Sequence, residues 1–134
     1  MKTFAQKAQP QPSLAEIRAI AESGYAEAQF HLGFVYAGGQ GVPRDYVEAA
    51  KWLIKAAAQG DAEAQAGLGT FYANGLGVPK DEALAYQWLL LAGAQGNAFA
   101  KKIYTRLEKT LTPEMRTEGQ RLAREFKPKI AFAA

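Results

Sequence analysis

The single histidine of the chain, His31, follows Glu27 by four residues, a spacing that puts both side chains on one face of a helix. A carboxylate beside an imidazole is the pairing that general acid–base chemistry uses. Neither a nucleophile nor oxyanion donors accompany it. The chain has no cysteine, which excludes a thiolate nucleophile, a thiolate metal site and a disulfide scaffold. One histidine among scattered carboxylates is not a metal-ligand cluster. Gly39-Gln40-Gly41-Val42-Pro43 has the outline of a phosphate-binding glycine loop, but no Lys-Ser/Thr follows, no strand precedes, and Pro43 removes an amide donor. No catalytic, cofactor-binding or metal-binding residue is therefore assigned, and the chain reads as a non-enzyme. A hydrolase-like activity is the weakest alternative and would rest on His31.

The glycine segment has another meaning, because it recurs. Residues 25–60 and 61–96 are one 36-residue unit written twice, identical at 20 of 36 positions without a gap. Gly39-Gln40-Gly41-Val42-Pro43-Arg44-Asp45 returns as Gly75-Leu76-Gly77-Val78-Pro79-Lys80-Asp81, Leu32-Gly33 as Leu68-Gly69, and Trp52-Leu53 as Trp88-Leu89. A period of this size marks a stack of one supersecondary unit, each burying its apolar face against the next.

Ala28, Leu32, Val35 and Tyr36 recur at helical spacing and define helix A of the unit, with Ala64, Leu68, Phe71 and Tyr72 in the second copy. Asp61 and Asn97 stand where an N-cap is wanted, whereas Tyr25 leaves the first helix A poorly capped. Helix B begins at Asp45, which forms a capping-box spacing with Glu48, and Ala49, Trp52, Leu53 and Ala56 share its inner face. Between the helices, Val42 and Val78 are expected in the core.

Ser13 to Ser23 aligns with helix B of a missing earlier unit, with Ile17 at the Leu53 position and Ile20 at that of Ala56. After Asn97 a third helix A is expected over 98–109, then Thr112-Pro113 opens a last helix that ends near Phe126 before Lys127-Pro128. The expected organisation is a flexible segment 1–12, one solenoid domain over 13–126 (capping helix 13–23, repeats 25–60 and 61–96, degenerate repeat and cap 97–126) and a tail 127–134.

The pattern Ala-Glu-Ala-Gln, Leu-Gly, Tyr-Ala, Gly-x-Gly-Val-Pro-x-Asp, Trp-Leu, Ala-x-Ala-Gln-Gly resembles the Sel-1-like repeat (SLR), a relative of the tetratricopeptide repeat. The resemblance is close over 25–96 and looser over 13–24 and 97–126. It implies an all-α fold, a right-handed α-solenoid of antiparallel helix pairs whose A helices line a concave face. It also implies a non-catalytic adaptor that binds a protein or peptide partner. The alternative it implies is an immunity protein that neutralises a bacterial toxic effector.

With Leu32 at the centre of the buried side, the opposite side of the first helix A carries Glu27, Phe30, Phe34 and Ala37, with His31 on its flank. The matching places hold Glu63, Ala66, Thr70 and Ala73 in the second copy and Phe99, Lys102 and Arg106 in the third. The copies agree where stacking needs them to and differ here, which makes Glu27, Phe30, His31, Phe34, Glu63, Thr70, Phe99, Lys102 and Arg106 the candidate partner-binding residues. Leu90 and Leu91 offer a self-association patch unless the C-terminal cap or Ile130-Ala131-Phe132 covers them.

Net charge is +3, but residues 101–134 hold nine basic and four acidic side chains against seven and nine in residues 1–100. Cations near a helix C-terminus account for much of that bias, so nucleic acid is not the expected partner. No stretch approaches the roughly 18 apolar residues of a membrane span. As written, without a secretory signal, the chain is expected in the cytoplasm, or in the periplasm if a leader has been removed.

Overall fold

The computed structural model describes residues 10–129, and among them all regular structure is helical: α1 (Leu14–Glu22), α2 (Ala26–Gly38), α3 (Tyr46–Ala58), α4 (Ala62–Asn74), α5 (Glu82–Ala94), α6 (Ala98–Leu107) and α7 (Pro113–Glu125). The helices start where polar caps stand. Asp45, Asp61, Asp81, Asn97 and Thr112 each accept a hydrogen bond from the amide three residues on, while Tyr25 gives α2 no side-chain cap. The capping box expected at Asp45 is only half formed, because the Glu48 carboxylate lies 3.8 Å from the Lys51 ammonium. The complete box is at the start of α1, between Ser13 and Glu16.

Successive helices pair into antiparallel hairpins, α2 with α3 and α4 with α5, and the hairpins stack through α3 on α4, with α1 against α2 and α6 and α7 against α5. The α3–α4 core joins Ala49, Ala50, Leu53, Ala56 and Ala57 to Ala64, Leu68 and Phe71, setting alanines opposite large side chains. Leu53 fits because the facing residue is Gly33, where a Cβ would stand 3.1 Å from Leu53 Cδ2. Trp52 is buried with Leu32 and Ala21, whereas Trp88 is half-buried and meets Phe126 edge-on at 5.5 Å. The Trp52 indole N–H is buried without an acceptor among the described residues.

Glutamines bolt one repeat to the next. Gln59 Nε2 donates to the Gly24 carbonyl (2.8 Å) and to Gln29 Oε1 (2.9 Å), and 36 residues later Gln95 Nε2 donates to Gly60 (2.9 Å) and to Gln65 Oε1 (2.9 Å). Gln29 and Gln65, both buried, pass the chain of bonds on to the carbonyls of Ala21 and Ala57.

The end caps depart from the register. Ile20, expected to be buried like Ala56, is 44% exposed, and Ala21 is the buried residue of α1. Ala56 is closed in by its neighbours on both sides, and no described helix stands on the far side of α1 to do the same for Ile20. At the other end, Tyr86 takes the place of Ala50, and α7 accommodates the larger ring with Gly119, where a Cβ would lie 2.8 Å from Tyr86 Cδ2. The Tyr86 hydroxyl donates to Glu108 Oε2 at 2.5 Å. Burial, and then the hydrogen bond to Glu108 and its charge, push the phenol up to about 12.

The sign of the linkage follows from that shift. The folded state holds the Tyr86 proton more tightly than the unfolded chain, so this stabilisation is complete below the ordinary tyrosine value of 10.0 and is lost as pH rises towards about 12. Titration followed by tyrosinate absorbance should show a late-ionising tyrosine that disappears in Tyr86→Phe. An unchanged titration curve would refute the assignment.

Candidate functional site

The outward positions of α2, α4 and α6 form three columns across the stack, read along successive repeats as Glu27, Glu63, Phe99; Phe30, Ala66, Lys102; and Phe34, Thr70, Arg106. Phe34 is 57% exposed and Phe99 54%, and Glu27, His31, Glu63, Lys102 and Arg106 are also exposed. Phe30 is half-buried. It leans on the α3–α4 core while its ring stays 6.1 Å from that of Phe34, so the two make a tilted pair with one open edge. Thr70 is half-buried and its hydroxyl donates to the Ala66 carbonyl at 3.0 Å.

Ala66 corrects the sequence expectation. It is buried with Leu89, Ala92 and Ala100, because α6 closes against α4 at that point and shuts the middle of the column. The exposed surface therefore has two ends, aromatic at α2 and, at α6, basic at Lys102 and Arg106 beside the exposed Phe99, joined over Thr70.

The charges on this face are not consumed internally. Among the described residues Glu27, Glu63, Lys102 and Arg106 take part in no ion pair, whereas Arg121 of α7 is held at 2.6 Å by both Glu118 and Glu125. The Arg121 guanidinium, through its hydrogen bond, keeps the Glu118 carboxyl below its ordinary range. Lys101 and Lys109 extend the exposed basic run at α6.

Beside Glu27 and His31 opens a hollow of about 290 Å³ whose other walls are Ile17 and Ile20 of α1 with Pro12, Tyr25 and Ala28. The sequence analysis does not single it out, although one signal was available: Ile20 stands where the repeats have alanine. Leu90 and Leu91 are half-buried and share a shallow hollow with Gln120, Ala123 and Arg124, so α7 partly covers them. The proposed cover by Ile130-Ala131-Phe132 lies outside the described residues. No group of three or more potential metal ligands and no helix long and apolar enough to cross a membrane occurs among the described residues.

A family model for the Sel1 repeat matches residues 26–61 and 62–97, more than half of the chain. The chain belongs to the Sel1 repeat family. Sel1 repeats typically serve as protein-interaction modules, and their fold is generally a non-catalytic scaffold. Among solved structures, this Sel1 repeat protein is similar to a protective antigen present in uropathogenic Escherichia coli strains that displays an SLR fold, with a TM-score of 0.81 and 35% identity over 84% of this chain. The match spans only 24% of the antigen's length. It is also similar to a Sel1 repeat protein from Oxalobacter formigenes, with a TM-score of 0.68 and 42% identity over 69% of this chain and 70% of that one. A search of curated proteins returned no match.

Proposed function

We propose that the outward face of the A helices holds a segment of a protein partner, with an apolar residue seated on Phe30 and Phe34 and acidic residues against Lys102 and Arg106. One observation carries this reading. The positions that stack the repeats are shared between the copies and buried, while Phe34, Phe99, Lys102 and Arg106 are unshared, exposed and left with their apolar area or charge unmatched. Aromatic and arginine side chains in such a setting are the residue types that dominate binding energy.

Two variants test the reading on whichever partner the intact protein captures. Phe30→Ala with Phe34→Ala should weaken binding by about tenfold at any salt concentration, a loss of about 1.4 kcal/mol. Lys102→Glu with Arg106→Glu should weaken it strongly at low salt and little at high salt. Unchanged affinity in both, with circular dichroism showing the helices intact, would place the partner elsewhere.

A further inference from the structure

Each helix A of the two full repeats has its own helix B lying against it, and among the described residues α6 has none. In α2 and α4 the seat of helix B is marked by Gly33 and Gly69, where an added Cβ would stand 3.1 Å from Leu53 Cδ2 of α3 and 2.7 Å from Leu89 Cγ of α5. The same place in the third copy is Thr105, which is exposed. Lys101 is exposed where Gln29 and Gln65 are buried, and Tyr104 is half-buried where Leu32 and Leu68 are sealed. The last helix does not take the seat, because α7 packs on α5. Its Arg116 guanidinium donates to the Glu108 carbonyl at 2.5 Å, whereas the matching carbonyls of Tyr36 and Tyr72 accept the amides of Asp45 and Asp81, the N-caps of helix B, at 3.0 Å. The described chain beyond α7 runs away from α6, with the Lys129 amide on the Ala58 carbonyl at 2.7 Å.

The chemistry of the seat says what fits it. Lys101, Lys102, Arg106 and Lys109 are exposed along α6 and the turn after it, and among the described residues none of them takes part in an ion pair. Helix α6 contains no acid, and Glu108 just beyond it accepts from the Tyr86 hydroxyl. In the internal repeats Gln29 and Gln65 receive a hydrogen bond from the glutamine at the C-cap of helix B, Gln59 or Gln95. Lys101 can only donate, so whatever meets it must accept. A helix lying on α6 as α3 lies on α2 would bring its C-terminus to Lys101, the end at which a cation is favourable, and its first turn to Lys109, where acidic residues are wanted. Thr105 in place of glycine holds the two axes further apart, so the occupant rests on this face by its charges instead of interlocking with it.

We infer that α6 seats an acidic helix of a protein partner in the place of a third helix B, antiparallel to α6, with carboxylates against Lys101 and Lys109. The two cations lie about 12 Å apart along the axis, a little over two helical turns, so carboxylates at i, i+4 and i+8 of the occupant match them. The inference goes beyond the partner-binding reading, which needs Phe30 and Phe34 and leaves this side of α6 unused.

The probe is an alanine-based peptide of about 20 residues, long enough to be helical alone, with glutamates at i, i+4 and i+8 on one face. A control peptide carries the same glutamates spread around the helix. At low salt the one-face peptide should shift the amide NMR signals of residues 98–109 and bind about tenfold more tightly than the control. Lys101→Glu with Lys109→Glu should weaken it by about tenfold. Thr105→Arg separates docking from plain attraction, because it adds a charge but fills the seat. A docked helix should bind that variant about threefold more weakly, whereas attraction alone would strengthen binding. Phe30→Ala with Phe34→Ala should leave the peptide's affinity unchanged, so this inference and the partner-binding reading fail separately. Equal affinity for the two peptides, tighter binding to Thr105→Arg, or signals that move on α2 instead of α6 would each overturn it. So would tighter binding of single-stranded DNA or of phosphatidylserine vesicles than of the one-face peptide, in favour of a nucleic acid or an anionic membrane surface.

Discussion

Gly77→Ala should lower the unfolding free energy by about 3 kcal/mol or more, while Gly41→Ala, at the same place in the first repeat, should lose only about 1 kcal/mol. Both glycines have left-handed backbone angles, φ 66° and 78°, so both substitutions carry the modest cost of putting a Cβ there. Only Gly77 is also pressed against another chain segment. Its missing Cβ would fall well inside contact distance of the Tyr46 carbonyl and 2.9 Å from the Val47 amide nitrogen. Those are backbone atoms at the start of α3, capped by Asp45 and pinned by the edge-on packing of Tyr46 on Phe71 at 5.7 Å, so they cannot step aside. At Gly41 nothing lies within 4 Å, because the residue one unit before Tyr46 is Pro10, ahead of the first helix. Thermal denaturation should separate the variants by several degrees, at roughly 4 °C per kcal/mol for a domain of this size. Equal shifts would mean that the second connector does not lock the first repeat to the second.

That contrast also shows what the sequence made legible. The 36-residue identity revealed the helix pairs, their caps and the buried stripe of Ala49, Leu53 and Ala56, because each repeated position meets the same neighbour twice. Outward placement of Phe34, Phe99, Lys102 and Arg106 was equally readable, since helical periodicity alone separates them from Leu32 and Leu68. Helical periodicity fails at Ala66 because it describes one helix, and what buries Ala66 is the approach of another, α6. It fails for Ile20 in the opposite sense, through the lack of a neighbour that every internal repeat has. Tyr86 with Gly119 was hidden for a third reason: the pair joins a repeat to a cap outside the register, so no second copy exists for comparison.

The glutamines were visible in the repeat, at Ala-Gln and Ala-Gln-Gly, but identity alone did not say what they do. Gln65 is 1% exposed and serves as the hub of the second bolt, donating to Ala57 at 3.2 Å and accepting from Gln95 at 2.9 Å. Gln65→Leu keeps the volume and removes both bonds. It leaves Gln95 an amide proton without its buried acceptor, and it sets the Ala57 carbonyl beside hydrocarbon with only the Gly60 amide, at 3.0 Å, still bonded to it. A loss of about 2 kcal/mol is expected, within the cost of stranding buried polar groups. Lys101, the residue one unit on, is exposed and takes no part in such a bolt, so Lys101→Leu should change stability by less than about 0.5 kcal/mol. Urea unfolding of Gln65→Leu, Gln95→Leu and the double variant completes the argument. If the bolt holds the repeats together, the two losses should fail to add by about 1 kcal/mol, because breaking either side chain already spends the shared bond. Strict additivity would leave apolar stacking as the sole link between the hairpins, with Gln65 reduced to an expensive way of filling space.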